Sequence, residues 1–379
     1  MNTQTLPLGI RNNPLLKQWL TIVNANEKEK PNVIGIYSGK VELGQGIEIA
    51  LQQIAADALG VDLDQIEFIT ASTLSSPNEM HTAGSMSVDQ GGSAVRSACR
   101  FAHFKFIEAA ANYLQVEGDS IRTQSGIFSS SLTQKTCTYW SLVDKVDLNQ
   151  AVHGVDTLPL QNKYVGKSSL RTDLIKKLSG NAFIHDIQLK NMIHGRVIRG
   201  QIGESKLIKI DLAQIERLGG IDQVIHSGHF IAILGYDEAK LVKALIKARH
   251  FVEFEPANLP IHQDIESLLT AMPAESSIVF DEGTSTQTLT SHQARFSRPY
   301  IAHASIGPGC ALASMQEGQL TVWSHSQGIY PLKEQLAQAF KLDESAVKVI
   351  HAPGSGCYGH NGADDVAFDA AFIAIESGH

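Results

Sequence analysis

Cysteine is scarce in this sequence, and long apolar runs are missing from it. The four cysteines, Cys99, Cys137, Cys310 and Cys357, lie far apart with no Cys-x-x-Cys pair among the 379 residues. That spacing excludes a local iron–sulfur or structural zinc motif, and at this length a disulfide framework is not expected. None of the 15 histidines falls in a His-x-x-x-His or His-Glu-x-x-His arrangement, so no zinc hydrolase is indicated. No window approaches the roughly 18 consecutive apolar residues of a membrane-spanning helix. Residues 1–30 lack the basic–apolar–small pattern of a signal peptide. The simplest expectation is a cytoplasmic location, a periplasmic one requiring a signal that is lost or supplied by a partner. Basic stretches are absent as well, and a formal net charge of -8 argues against a nucleic-acid binder. With 43% hydrophobic and 18% charged residues, the composition is that of a soluble globular protein of two or three domains.

What the sequence does contain is a unit and its weaker copy. Gly39-Lys-Val-Glu-Leu-Gly-Gln-Gly46 follows a strand expected over Val33–Tyr37. Ile47, Leu51, Ile54, Ala55 and Ala58 then recur with helical spacing, Gly60 supplies a stop, and Ile66–Ile69 reads as a strand. Gly44, Gln45 and Gly46 therefore stand where a loop enters a helix, with backbone N–H groups free to meet a ligand. Near the other end, Gln327-Gly328 leads into a helix with Pro331 in its first turn and Leu332, Leu336, Ala339 and Phe340 on one face. Val347–Ile350 then repeats the strand, and Gly354-Ser-Gly-Cys-Tyr-Gly359 follows as a glycine-rich loop. Two such units suggest a pseudo-symmetric pair holding something between two Gln-Gly loops. The plainer alternative is two ordinary strand–helix–strand units with glycines at their turns.

The rest of the chain reads as mixed α and β structure, an α+β fold. Residues 1–30 look like a polar leader packed on the surface. Gly91-Gly92 and a Ser93 cap open a helix reaching about Tyr113, and a β-rich piece and a short helix near Tyr139–Val146 follow. Residues 151–167 read as a linker. A second α/β domain begins near Ser168, with a helix over Glu238–Phe251. Residues 256–297 read as another linker with one strand, Ser277–Phe280. The apolar helical pattern after Asp364-Asp365 stops soon after it begins, a hint of a longer protein.

Several blocks together resemble the molybdopterin-binding large subunit of the xanthine dehydrogenase/aldehyde oxidase family. They are Val41-Glu-Leu-Gly-Gln-Gly46, Pro77-Asn78, Thr82-Ala-Gly-Ser-Met-Ser87, Arg171-Thr-Asp173 with Lys176 and Gly180, His303-Ala-Ser-Ile-Gly-Pro308, Trp323-Ser-His-Ser-Gln327 and Gly354 to Asp365. Their order is similar to the isoquinoline 1-oxidoreductase β-subunit branch. The resemblance implies a first cofactor-binding segment over 1–150, an α/β hammerhead domain over 165–256 and a second cofactor-binding segment over 290–379. It implies molybdenum on a molybdopterin cofactor, in the cytosine dinucleotide form, and oxidation of an N-heterocycle or aldehyde with water as oxygen source. Electrons would pass to a small [2Fe–2S] subunit, and a separate C-terminal half or a cytochrome acceptor are further partners it admits.

Residue by residue, the resemblance implies that Gln45 points its amide at the metal centre or pterin, with Gly44 and Gly46 giving backbone access. Gly84, Ser85, Met86 and Ser87 would donate to the cofactor phosphate. Gln327 would be the second glutamine near the metal, and Gly356, Cys357, Tyr358 and Gly359 the loop over the active site. There Cys357 and Tyr358 replace a phenylalanine, leaving open which side chain faces the substrate. Cys357 reads equally as a buried filler, and His303 as a core histidine. No residue is read as a metal ligand. The family's general base, a Glu in Gly-x-Gly-Glu, does not occur here, so the catalytic residue stays unassigned and the chain alone is expected to be inactive. A non-catalytic scaffold is the alternative. A nucleotide-phosphate binder is weaker; it predicts a Gly-x-Gly-x-x-Gly or Walker-type loop after a strand. Without further elements, part of the apolar surface of helices 47–59 and 329–340 is expected to stay exposed.

Overall fold

The computed structural model describes residues 6–23, 32–155, 162–180, 182–201, 205–256, 264–283, 292–362 and 365–379. The fold is mixed α and β. The first unit holds helix α1 (Leu8–Asn12), strands β1 (Leu20–Val23) and β2 (Val33–Ile36), helix α2 (Ile47–Leu59) and strand β3 (Ile66–Phe68). β1 pairs antiparallel with β2, and β3 runs parallel to β2 beyond the α2 crossover. Helix α3 (Ser93–Leu114) lies against α2, and β4 (Ile121–Gln124), β5 (Ile127–Ser130) and β6 (Thr136–Thr138) form a separate antiparallel sheet. The expected apolar face of α2 is buried throughout, and Gly60 ends the helix at φ 68°. Leu51, Phe106, Phe128 and Tyr139 fill this core. Each fully buried side chain of the Leu or Phe kind contributes about 1.5–3 kcal/mol of transfer free energy.

The middle of the chain carries α4 (Leu174–Leu178), β7 (His194–Ile198), β8 (Leu207–Ile210), α5 (Leu212–Glu216), β9 (Gln223–Ser227), β10 (Phe230–Gly235), α6 (Glu238–Ala248), β11 (Val252–Phe254) and α7 (Ile265–Ala271). β10 is flanked antiparallel by β7 and β9, and β8 pairs with β11. α6 starts where the Asp237 carboxylate accepts the Lys240 N–H at 3.0 Å.

The last unit repeats the first. β12 (Ala311–Gln316) and β13 (Gln319–Ser324) are antiparallel, α8 (Ile329–Phe340) crosses over, and β14 (Val347–His351) lies parallel to β13. A 3-10 turn precedes the returning strand in both units, at Leu63–Gln65 and at Glu344–Ala346. Helix α9 (Val366–Ser377) closes the chain. It docks on the middle sheet through Phe372, whose ring meets that of Phe230 edge-on at 4.8 Å, and through ion pairs of Arg199 with Asp365 and Asp369. The two units are stitched together. Ala71 O accepts from His351 N at 2.9 Å, Thr73 N donates to Val349 O at 3.0 Å, and Val41 and Ala71 sit in the core of the second unit.

Five expectations need correction. Within residues 6–23 the supposed leader is core: Ile10, Leu16, Trp19 and Leu20 are buried, and β1 is a sheet strand. Ser93 is no cap, because a π-helical turn over Ser87–Gly92 already leads into α3. The linker before the middle domain is tied down where it is described. The buried Asp57 carboxylate on α2 accepts the N–H groups of Lys163, Tyr164 and Val165 at 2.8, 3.0 and 2.8 Å; Pro159 lies outside the described residues. The strand expected at Ser277–Phe280 has no pairing partner among the described residues, and Ile278, Val279 and Phe280 are exposed at 82, 93 and 78%. Nor does the apolar face of α2 stay exposed, Leu51 and its neighbours being buried; on α8 Leu336 is buried and Ala339 exposed, and the larger open apolar side chains are 278–280 and Phe296, Tyr300, Ile301 and Ile306. Asp364 lies outside the described residues; its neighbour Asp365 stands at the N-terminus of α9, which runs for 12 residues to a Gly378 cap.

Candidate functional site

Both Gln-Gly loops and the glycine-rich segment after β14 meet where the two units join. Val41 N donates to Thr82 Oγ1 at 2.9 Å, which carries the first loop to the Thr82–Ser87 segment. Thr82 is in turn paired with Gln327 on both sides: Thr82 N donates to Gln327 O at 2.8 Å, and Gln327 Nε2 donates to Thr82 O at 2.9 Å. Gln327 N reaches Asn361 O at 3.3 Å, and Asn361 Nδ2 donates to His325 O at 3.1 Å. His351 Nε2 lies 3.0 Å from Glu42 O, beneath the first loop. Burial pushes the His351 imidazole down to about 4, so it is neutral and donates that bond.

The first loop is shaped from inside. The Glu42 carboxylate, 1% exposed, accepts from Gly44 N at 2.8 Å, Gly46 N at 3.0 Å and Glu48 N at 3.4 Å. Gly44 and Gly46 take φ of 104° and 83°, a region only glycine enters freely. Gln45 is exposed, but its amide is turned back: Oε1 accepts from Leu43 N at 2.6 Å and Nε2 donates to Val41 O at 3.0 Å. Glu48 is pushed up to about 7 by burial first, then by the charges of Glu42 and Asp173.

Gln327 is the opposite case. It is buried, and its Oε1 has no hydrogen-bond partner. A buried acceptor left bare costs about 1–3 kcal/mol, which a ligand N–H at this spot would recover. The loop at Gly84, Ser85 and Met86 is exposed, with Gly84 and Ser85 both at positive φ (67° and 58°), and Ser87 begins the π-helical turn. In the glycine-rich segment Gly356 and Gly359 take φ of 121° and 94°. Cys357 sinks into the interior while Tyr358 lies outward at 64% exposure, its ring folded over Gly356, where a Cβ would stand 2.7 Å from it. A small pocket beside this segment is lined by His185, Ser305, His325, Ser355, His360 and Asn361 among others. His303 is exposed, its ring 5.2 Å from that of His360, and so is not a core histidine. The spacing Gly354-x-Gly356-x-x-Gly359 is that of a dinucleotide loop and follows a strand. However, α9 begins only at Val366, so the loop does not open a helix as that chemistry requires.

The arrangement thus gathers Gln327 and the segments 82–87 and 354–361, and it links the Gly44–Gly46 loop to them through Val41 and Glu42. Sequence reasoning assigned no role to Glu42, Thr82 or Asn361. It marked Arg171 and Asp173 only as part of a resembling block. In the structure Arg171 Nε and Nη2 donate to Asp173 at 3.0 and 2.5 Å, and Nη1 reaches across to Gly44 O at 2.9 Å. The fork of Arg171 and the Lys177 ammonium hold the Asp173 carboxyl well below the usual range. The available signal was an acid two residues before a glycine loop.

A bare buried acceptor, an exposed loop of positive-φ residues and a glycine-rich segment edged by Tyr358 fit a flat polar cofactor with anionic groups. Sequence comparison agrees. Residues 28–169 and residues 278–378 each match a molybdopterin cofactor-binding domain, one match on each of the two like units. The chain is 31% identical over 357 residues to a nicotinate dehydrogenase subunit of Pseudomonas putida, covering 89% of this chain and 30% of that protein. It is 24% identical over 247 residues to the β-subunit of isoquinoline 1-oxidoreductase from Brevundimonas diminuta, covering 54% of this chain and 32% of that one. Quinoline 2-oxidoreductase from Pseudomonas putida 86 superposes with a TM-score of 0.44 at 17% identity, over 56% of this chain and 34% of that chain. The class is that of molybdopterin-binding chains. Within it, the chain belongs to the xanthine dehydrogenase/aldehyde oxidase family. It spans about a third of the length of the curated relatives it matches, and no helix among the described residues is long and apolar enough to cross a membrane.

Proposed function

We propose that this chain is the molybdopterin-binding part of a cytoplasmic molybdenum hydroxylase that oxidises an N-heterocycle with water as oxygen source and passes electrons to a small [2Fe–2S] subunit. The observation that carries the reading is the coincidence of the two cofactor-binding matches with the two like units that meet at Thr82 and Gln327. N-heterocycles are favoured over aldehydes because the two relatives with the longest matches are named for nicotinate and isoquinoline. The cofactor, in its cytosine dinucleotide form, supplies the two-electron redox centre when bound.

This chain's own residues hold it. Gln327 Oε1 takes an N–H of the ligand, and the open backbone of Gly84, Ser85, Met86 and Ser87 meets its phosphates. Gly359 lets it approach the main chain, and Gly356 does so once the Tyr358 ring at the rim swings off it, with Cys357 behind the loop. Gln45 must turn out, giving up two bonds inside its loop, to reach the ligand. Residues 165–256 form the hammerhead domain between segments 1–150 and 290–379.

The test is the molybdenum-to-chain ratio by elemental analysis, after expression with the neighbouring genes in a host that makes the cofactor. A ratio near one is expected; a soluble chain with a ratio near zero refutes cofactor capture. That second outcome belongs to the other reading, a non-catalytic scaffold.

A further inference from the structure

We propose that Glu42 and Arg171 are positioning residues: the segment opening the middle domain sets the shape of the first cofactor loop. The proposal rests on the reading of Gly44–Gly46 as part of a cofactor site, and it begins from an occupied helix start. The first turn of a helix offers unpaired N–H groups and a partial positive charge, the usual place for a ligand anion. At α2 that place is filled from within. Glu42 Oε1 takes Gly44 N and Gly46 N at 2.8 and 3.0 Å, with Oε2 3.4 Å from Glu48 N. These N–H groups are therefore not the ones offered to a ligand phosphate, and the loop meets its ligand with Gln45 and its outer face instead.

Two glycines at positive φ, at either side of Gln45, would leave such a loop soft. The Arg171 guanidinium removes that freedom from the other side. Its Nε and Nη2 are oriented by the fork of Asp173, itself held by Lys177 Nζ at 2.5 Å. With its plane fixed, Nη1 donates to Gly44 O at 2.9 Å and Nη2 stands 3.4 Å from Glu42 Oε1. One planar group thus grips the loop by a carbonyl and by the carboxylate that organises it, which the single point charge of a lysine cannot do. A shift of the segment around Arg171 relative to the first unit would move Gly44 and Gln45 with it.

The test is hydrogen exchange on the cofactor-free full chain, comparing wild type with Arg171→Met, Glu42→Gln and the double variant. Arg171→Met is expected to speed exchange in residues 43–48 at least tenfold while β10 and α3 exchange as in wild type. The double variant should add nothing to the faster single one. Unchanged exchange at 43–48, or acceleration spread evenly over the chain, overturns the proposal, since the pair would then be idle or merely a general stabiliser. A second arm measures molybdenum per chain in the cofactor-making host, where Arg171→Met should fall below half the wild-type ratio. If the wild type itself carries no molybdenum, the cofactor reading fails, and the exchange result still decides the role of the pair.

Discussion

His103 should make the stability of this protein rise with pH between about 4 and 6.5. The imidazole is buried on α3, and its Nδ1 lies 2.7 Å from Tyr139 Oη, which also stands 2.6 Å from Leu59 O. The phenol has one proton and gives it to the carbonyl, so His103 donates through Nδ1. Burial, and after it the charge of Arg100, push its pKa down from 6.5 to about 4. A depressed histidine binds fewer protons folded than unfolded between those values, so its contribution is present above the unfolded pKa and is lost as pH falls toward the folded one. Going from pH 7 to pH 5 removes about 2 kcal/mol through this single group, as the proton-linkage relation gives for those two pKa values. Other groups titrate in the same range. His351 acts in the same direction, and Glu48, raised to about 7, acts in the opposite one. The measurement is therefore a difference: urea unfolding of wild type and His103→Gln at pH 5 and pH 7. The wild type should lose about 2 kcal/mol more than the variant across that interval. Equal losses in both proteins would refute the assignment of a neutral, buried His103.

Three further outcomes are expected. Asp57→Ala leaves the N–H groups of Lys163, Tyr164 and Val165 without their acceptor, and should cost about 3–5 kcal/mol in urea unfolding while freeing 162–169 to proteolysis. Gly39→Ala puts a Cβ 2.4 Å from the Pro77 carbonyl oxygen, so the 77–82 loop must move, with a loss of about 1–3 kcal/mol in the same assay. The isolated chain should bind a hydrophobic dye through Ile278, Val279, Phe280, Phe296 and Ile306, and Val279→Ser with Phe280→Ser should reduce the signal; a compact monomer that binds none contradicts this.

The two like units were legible because their evidence is local. A 3.6-residue period and a short β-branched strand follow each other in each copy, and in the first a glycine stop, Gly60, stands between them. The buried N-terminal segment was not legible, because Ile10, Leu16, Trp19 and Leu20 follow no single period: they serve a short helix, a 3-10 turn and a strand in turn. Ser277–Phe280 reads as a strand from side-chain type alone, and side-chain type cannot provide a neighbouring strand. At the site, the glycines and glutamines announced themselves by spacing, whereas the Glu42–Arg171 contact joins residues 129 positions apart. No window along the chain contains both.

The stitching between the two units also has a consequence in time. Thr82 waits for Gln327, 245 residues later, and Glu42 for His351, 309 residues later. At synthesis rates of about 5–20 residues per second, the first loop exists for roughly 15–60 seconds before its underpinning has been made. During that interval the ribosome holds a chain whose first loop has not yet met its other half. On the proposed reading, cofactor loading that uses both Gln-Gly loops is a step that follows translation of β14.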